Sequence, residues 1–362
     1  MRKNYLAYPV EFVDDAFGDS DVLAKMLQPP KREAPRVLIV ADQNVVQHTE
    51  GLGSRIGRYV KRTGIELAAS PVVVGGGEKI KSDDFQTAQR IMSAIVEAKL
   101  GRGDVVLAIG GGTLLDVAGW AAAQAAGGIP LVRMPTTPEA MTDAAYADRA
   151  LLDVAFAKDA AGVASVPAGV VIDVTFAKTV LDGVWRGGIG DPVRVAVAKD
   201  ASLLGKIAEN SQAYRARSVE ALGEIVRGVG KVRAAKGPTT FALWLAARLQ
   251  EMSCYKLPHG YAVSMAVLVA MSCDVVRGAI DEDERASVHA TLEECGALDG
   301  LSHSKHLLQQ TDALLEGASS WARAFGEIDR LKSIGSVEQA PPPDAALLGE
   351  ALKYLLSLTA ER

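Results

Sequence analysis

The stretch "DVVLAIGGGTLLDVAGWAAAQAAGGIPLVRMPTT", residues 104–137, constrains the fold more than any other. An apolar run ends in three glycines. A helical pattern follows, then a second glycine break and another apolar run ending in hydroxyls. Strand, glycine turn, helix, strand is the unit of a parallel sheet covered by helices. The same alternation precedes it. "RVLIVAD" (36–42) reads as a buried strand, "SRIGRYVKRTG" (54–64) as an amphipathic helix stopped by glycine, and "ELAASPVVVGG" (66–76) as ending in a strand. "FQTAQRIMSAIVEAKL" (85–100) has apolar residues at helical spacing, and "AGVVIDVTF" (168–176) is the last strand signal. A doubly wound sheet of this kind places ligands at the carboxyl ends of its strands.

From about Thr179 the pattern changes to helical periods over 217–235, 239–252, 260–277, 283–296, 303–316 and 345–358, with a proline-broken connection, "EQAPPPD", at 338–344. The expectation is an α/β Rossmann-like domain with a parallel sheet at 1–175 and an all-α domain at 176–362. A cleft between them is the default place for a ligand.

Charge narrows the function. A net charge of −5 supplies no excess of Lys and Arg for a nucleic-acid or membrane surface. Cys254, Cys273 and Cys295 form no CxxC pair and no disulfide framework. The N-terminal "MRKNYLAYPVEFVDDAFG" turns acidic where a signal peptide needs an apolar core, and no apolar run reads as a membrane span. These features lead to the expectation of a soluble, cytoplasmic protein with a small-molecule ligand.

Several residues stand where chemistry could be done. Gly110, Gly111 and Gly112 let backbone N–H groups approach a pyrophosphate at a helix start, although such turns are as often structural. Asp116 lies one turn into that helix. Asp42 and Asn44 end a strand, either to accept ribose hydroxyls or as an ordinary Asx turn. "GGGEKIKS" (75–82) carries Glu78 and Lys81, and "MPTTPEAMTD" (134–143) carries Thr136, Thr137 and Asp143.

In order and spacing these turns resemble the 3-dehydroquinate synthase family of sugar phosphate cyclases. The motifs are "DQNV", "GGEKIKS", "GGGTLLDVAGWAAA", "GGIPLVRMPTT" and "VIDVTFAKTV…WRGGIGDPVRVAVAKD". The fold of that family is shared with glycerol and glycerol-1-phosphate dehydrogenases. The resemblance implies NAD, a divalent metal (usually zinc), a sugar phosphate or polyol substrate, and a homodimer. By position it assigns the cofactor to Asp42, Asn44, Glu78, Lys81, Gly110, Gly111, Gly112, Thr113, Asp116, Thr136 and Thr137. It assigns substrate chemistry to Asp143, Arg149, Lys158 and Arg194, the two arginines standing where the family has lysine.

The metal set departs from the family pattern of one Glu and two His. Asp191 stands at the Glu position and His259, in "LPHGYAV", at the last His. Counting back from His259 puts the helix histidines at Ala242 and Ala246. A two-ligand remnant binds zinc poorly, since catalytic zinc takes three protein ligands. Asp159 replaces an uncharged amide at a phosphate contact, which argues for an altered substrate. Three readings follow: a cyclase with altered substrate, a polyol dehydrogenase of the same fold, or a ligand-binding homologue without turnover.

Overall fold

The computed structural model describes residues 4–28, 35–155 and 157–359. Contacts divide the chain into two units. The first is Leu6–Val180, and the second begins at Leu181. Tyr5 belongs to the second, where its N–H donates to the Ala234 carbonyl at 2.9 Å.

The strands are β1 (Val10–Val13), β2 (Arg36–Asp42), β3 (Glu66–Leu67), β4 (Val72–Val74), β5 (Val105–Gly110), β6 (Leu131–Pro135), β7 (Arg149–Val154), β8 (Ala157–Ala164), β9 (Gly169–Asp173), β10 (Ile328–Ser333) and β11 (Ser336–Ala340). Seven of them make one sheet in the order β1-β9-β6-β5-β2-β3, with β4 also on β2. Every pairing in it is parallel. Side chains alternate between two cores. Val37, Ile39, Ala41, Val105, Leu107 and Ile109 face one. Leu38, Val40, Val106 and Ala108 face the other. Burial on both faces is why β2 and β5 read as unbroken apolar runs.

The chain leaves β2 toward β4 on one side and returns to β5 on the other. That reversal is a switch point, and it opens a crevice at the carboxyl ends of β2 and β5.

A two-stranded hairpin, β7–β8, was not anticipated from the sequence. It packs on the helix Gly112–Gln124. A side chain at Gly119 would bring its Cβ to 2.8 Å from Ser165 Oγ and 3.2 Å from Ala150 Cβ, so the glycine allows the approach.

The second unit is helical, with one correction to the all-α expectation. β10 and β11 form an antiparallel hairpin between helices, turning at Gly335 with φ +85°. The strands are short and interleave charged with apolar residues, so they gave no apolar run to notice. A second correction concerns His259–Val276, which is long and apolar enough to cross a membrane by length and composition. It is 72% buried inside the protein, as the core helix of this unit. Its side chains Val263, Met265, Val267, Leu268 and Met271 are all at most 1% exposed. Burying each such side chain contributes about 1.5–3 kcal/mol.

Candidate functional site

Two groups of polar residues matter, one in each unit. In the first unit the switch-point crevice collects the ends of three neighbouring strands. β2 ends in Asp42, whose Oδ1 accepts from the Asn44 N–H at 2.7 Å and caps the short helix Gln43–His48. Asn44 itself is exposed. Burial raises the Asp42 pKa, and the Asn44 and Val45 amides pull it back. A Cβ on Gly76 would fall 2.1 Å from Asp42 Oδ2, so glycine lets the backbone pack closely against this carboxylate.

β5 ends at Gly110, and the helix Gly112–Gln124 starts immediately, with Thr113 in its first turn. A Cβ on Gly111 would press on Thr137 at 3.3 Å, and one on Gly112 on Ala144 at 3.2 Å. The Thr136 N–H donates to the Gly110 carbonyl at 3.0 Å, locking β6 to β5 at this edge. Thr137 Oγ1 caps the helix Pro138–Thr142 by accepting from Ala140 N–H at 3.2 Å. Asp143 ends that helix and is half-buried. Among the described residues Thr136 Oγ1 is buried with no hydrogen-bond partner. A buried hydroxyl without a partner costs about 1–3 kcal/mol, which a ligand could recover.

Beside the crevice lies a buried network. Lys81 Nζ donates to Asp159 Oδ1 at 2.5 Å and Asp116 Oδ2 at 3.0 Å, and Lys158 Nζ to Glu78 Oε2 at 3.2 Å. Asp116 Oδ1 accepts from Leu151 N–H at 3.3 Å, so this carboxylate ties the hairpin to the helix. Asp159, at φ +56°, is steadied by its own N–H donating to Asp153 at 2.9 Å. Burial would lower the Lys81 pKa, but Asp116, Asp159, Glu78 and Asp153 outweigh it and raise the pKa well above the usual value. Burial raises Asp116, with Lys81 opposing. Lys158 and Asp159 lie at the hairpin's tip. Arg149 is exposed at its open end, opposite Ala164, so the structure does not bring it to the network.

The second group joins Asp191, Arg194 and His259. Asp191 opens the helix Gly190–Lys199, and His259 opens His259–Val276. Glycines set how closely these helix starts meet. A Cβ on Gly260 would lie 2.1 Å from the Gly187 carbonyl oxygen, and one on Gly190 would lie 2.6 Å from that of Gly260. Backbone cannot yield as a flexible side chain can. Gly260→Ala should therefore cost roughly 3 kcal/mol by overpacking, read as a lower urea midpoint. Gly205, mid-helix with no atom within 4 Å of its Cβ position, is the contrast. Gly205→Ala should stabilise by about 0.5–1 kcal/mol.

Asp191 and Arg194 are completely buried. Arg194 Nε donates to Asp191 Oδ1 at 2.8 Å, and its Nη1 to the Thr239 carbonyl at 2.7 Å. His259 Nε2 lies 3.2 Å from Asp191 Oδ2, and its Nδ1 3.1 Å from Gln250 Oε1. Burial would raise the Asp191 pKa. Arg194 first, then His259, reverse this and hold the carboxyl far below the usual range. Gln250 was missed from the sequence. Ala242 and Ala246 drew notice, and the same helix row one turn further reaches Gln250. Its Nε2 is buried without a partner among the described residues.

The donors do not fit a divalent metal. Among the described residues no three His, Cys, Asp or Glu side chains come together to hold one. Gln250 faces the ring nitrogen opposite Asp191, so it cannot share an ion with that carboxylate. A dication about 5 Å from the Arg194 charge would be repelled by roughly 7 kcal/mol at an effective dielectric of ~20.

Comparison with known proteins agrees with the motifs. Residues 71–186 match the family model "3-dehydroquinate synthase N-terminal". A 3-dehydroquinate synthase of Pseudomonas entomophila is 26% identical, aligned over 80% of this chain and 79% of its own. A 2-epi-valiolone synthase of Actinosynnema mirum is 27% identical over 73% and 72%. The solved 2-epi-5-epi-valiolone synthase of Streptomyces hygroscopicus, with NAD+ and Zn2+ bound, superposes with a TM-score of 0.81 over 98% of both chains at 19% identity. By motif, by sequence and by fold, the chain is similar to the 3-dehydroquinate synthase-like sugar phosphate cyclases.

Proposed function

We propose that the chain is an NAD-dependent sugar phosphate cyclase whose substrate differs from that of 3-dehydroquinate synthase. The observation that carries this is the switch-point crevice. A glycine turn, the Asp42 carboxylate and a Thr136 hydroxyl with no partner among the described residues lie on one edge of a parallel sheet.

In this reading the residues divide the work. The Gly110–Gly112 turn and the helix it opens receive the pyrophosphate through backbone N–H groups and the helix dipole. Asp42 accepts from ribose hydroxyls. Thr136 Oγ1 gains a partner, with Thr137 beside it, at the nicotinamide side. NAD held at this edge would supply reversible hydride transfer to and from the substrate. Lys81 and Asp116 hold the hairpin so that Lys158 stays near Glu78 at the substrate side. No step is assigned to a metal, because the donor set does not suit one.

The altered substrate follows from charge. Four carboxylates (Glu78, Asp116, Asp153, Asp159) surround two lysines (Lys81, Lys158). Such a cluster repels an additional phosphate more than a balanced one would.

Two assays test the reading. Calorimetric titration should detect NAD binding that Gly112→Val abolishes. Incubation with NAD and a panel of heptulose and hexose phosphates should release inorganic phosphate without net NADH. Steady NADH growth on polyols would instead indicate a dehydrogenase. NAD binding with neither product would indicate a homologue without turnover.

A further inference from the structure

We propose that Arg194 is the resident cation of the Asp191–His259 pair and that this site works without a divalent metal. The inference holds whether or not the chain cyclises sugar phosphates.

Three observations carry it. First, Arg194 is fixed. It is completely buried, with one nitrogen on Asp191 and another on the Thr239 carbonyl. Thr239 is held in turn, its Oγ1 donating to Asp329 Oδ2 at 2.7 Å, and Asp329 also accepts from Thr240 N–H at 2.7 Å. A guanidinium in that clamp is tied at two of its nitrogens. It also cannot step aside by losing its proton, since arginine stays charged in proteins.

Second, both Asp191 oxygens are engaged, Oδ1 by Arg194 and Oδ2 by His259. A metal would have to displace His259 from Oδ2 while tolerating the guanidinium on Oδ1. Third, Gln250 stands on the wrong side. Gln250 meets His259 Nδ1, where it orients the ring toward Asp191. The positions on that helix row closer to its start are Ala242 and Ala246, both 1% exposed and without donor atoms. The carboxylate is thus neutralised from within the chain. The close glycine packing of Gly187, Gly190 and Gly260 sets the geometry that a metal would otherwise impose.

The test is equilibrium dialysis of the purified full chain against Co2+ and, separately, Zn2+, followed by elemental analysis. The expected result is less than about a tenth of an equivalent retained, where a three-ligand zinc site would retain about one. Thermal unfolding should be the same in EDTA and in Zn2+. Retention of about one equivalent that is lost in both Asp191→Asn and His259→Ala would overturn the proposal. If Asp191→Asn does not fold, His259→Ala decides alone. Retention that His259→Ala leaves intact would place the ion elsewhere and support a metal-free pair.

Discussion

Arg194→Ala is expected to destabilise the second unit by about 3–5 kcal/mol, enough to remove much of an ordinary domain's stability. The magnitude comes from what remains. Asp191 would stay completely buried with its strongest cationic partner gone. The Thr239 carbonyl would lose its donor as well. His259 alone, at 3.2 Å and 16% exposed, cannot replace a buried guanidinium. Arg194→Lys should recover only part of the loss, because an ammonium does not reach two acceptors held at the arginine's fork. The double variant Asp191→Asn/Arg194→Met should lie much closer to wild type than Arg194→Ala, since it removes both charges. Tryptophan fluorescence during urea unfolding is the suitable readout. Three of the four tryptophans, Trp185, Trp244 and Trp321, lie in the second unit. A loss below about 1 kcal/mol for Arg194→Ala would mean that water reaches Asp191, and would remove the argument for a resident cation.

The parallel sheet was legible because burial on both faces leaves an unmistakable mark. β2, β5 and β6 read as apolar runs bounded by glycine or polar residues, and they fold where they were read. The cofactor turns were legible because a glycine that admits a ligand also breaks the pattern. The hairpins were not. β7 and β8 alternate weakly and owe their place to Gly119 and Asp116, which lie more than 30 residues earlier. Nor could the sequence reveal pairing among charged residues. Glu78, Lys81, Asp116 and Lys158 were read one by one as ligand contacts, yet they also satisfy one another. Arg194 is expected to contact substrate, yet it stands three residues after Asp191 on one helix, a spacing that could have signalled the pair, and its complete burial assigns it to the carboxylate. Spacing along a chain reports faces of helices and strands. It does not report which of two charges, dozens of residues apart, meet in the folded state.

Lys81 supplies the other large effect. Lys81→Met should destabilise the first unit by about 3 kcal/mol, toward the low end for a buried pair because the Asp159 side chain is one-quarter exposed. The deficit should depend on pH, in a direction fixed by the groups left behind. Lys81 has a raised pKa, so its contribution is complete below the unfolded lysine value and fades only as pH climbs through the folded one. Across neutral pH the wild-type network is therefore intact. In the variant Asp116 and Asp159 face each other without the lysine. Asp116 is already raised by burial, and the loss of Lys81 raises it further. A carboxyl with a raised folded pKa regains stability as pH falls through that value. The deficit of Lys81→Met should thus be larger at about pH 8 than at about pH 5. Adding Asp159→Asn removes one of the two opposed charges, so Lys81→Met/Asp159→Asn should recover part of the loss even at the higher pH. A double-mutant cycle isolates that coupling from the packing of the methionine. A deficit that ignored both pH and Asp159 would show that Lys81 serves by filling space. The hairpin's polar ties would then be those that do not use the lysine charge, among them Asp116 with the Leu151 amide and Lys158 with Glu78.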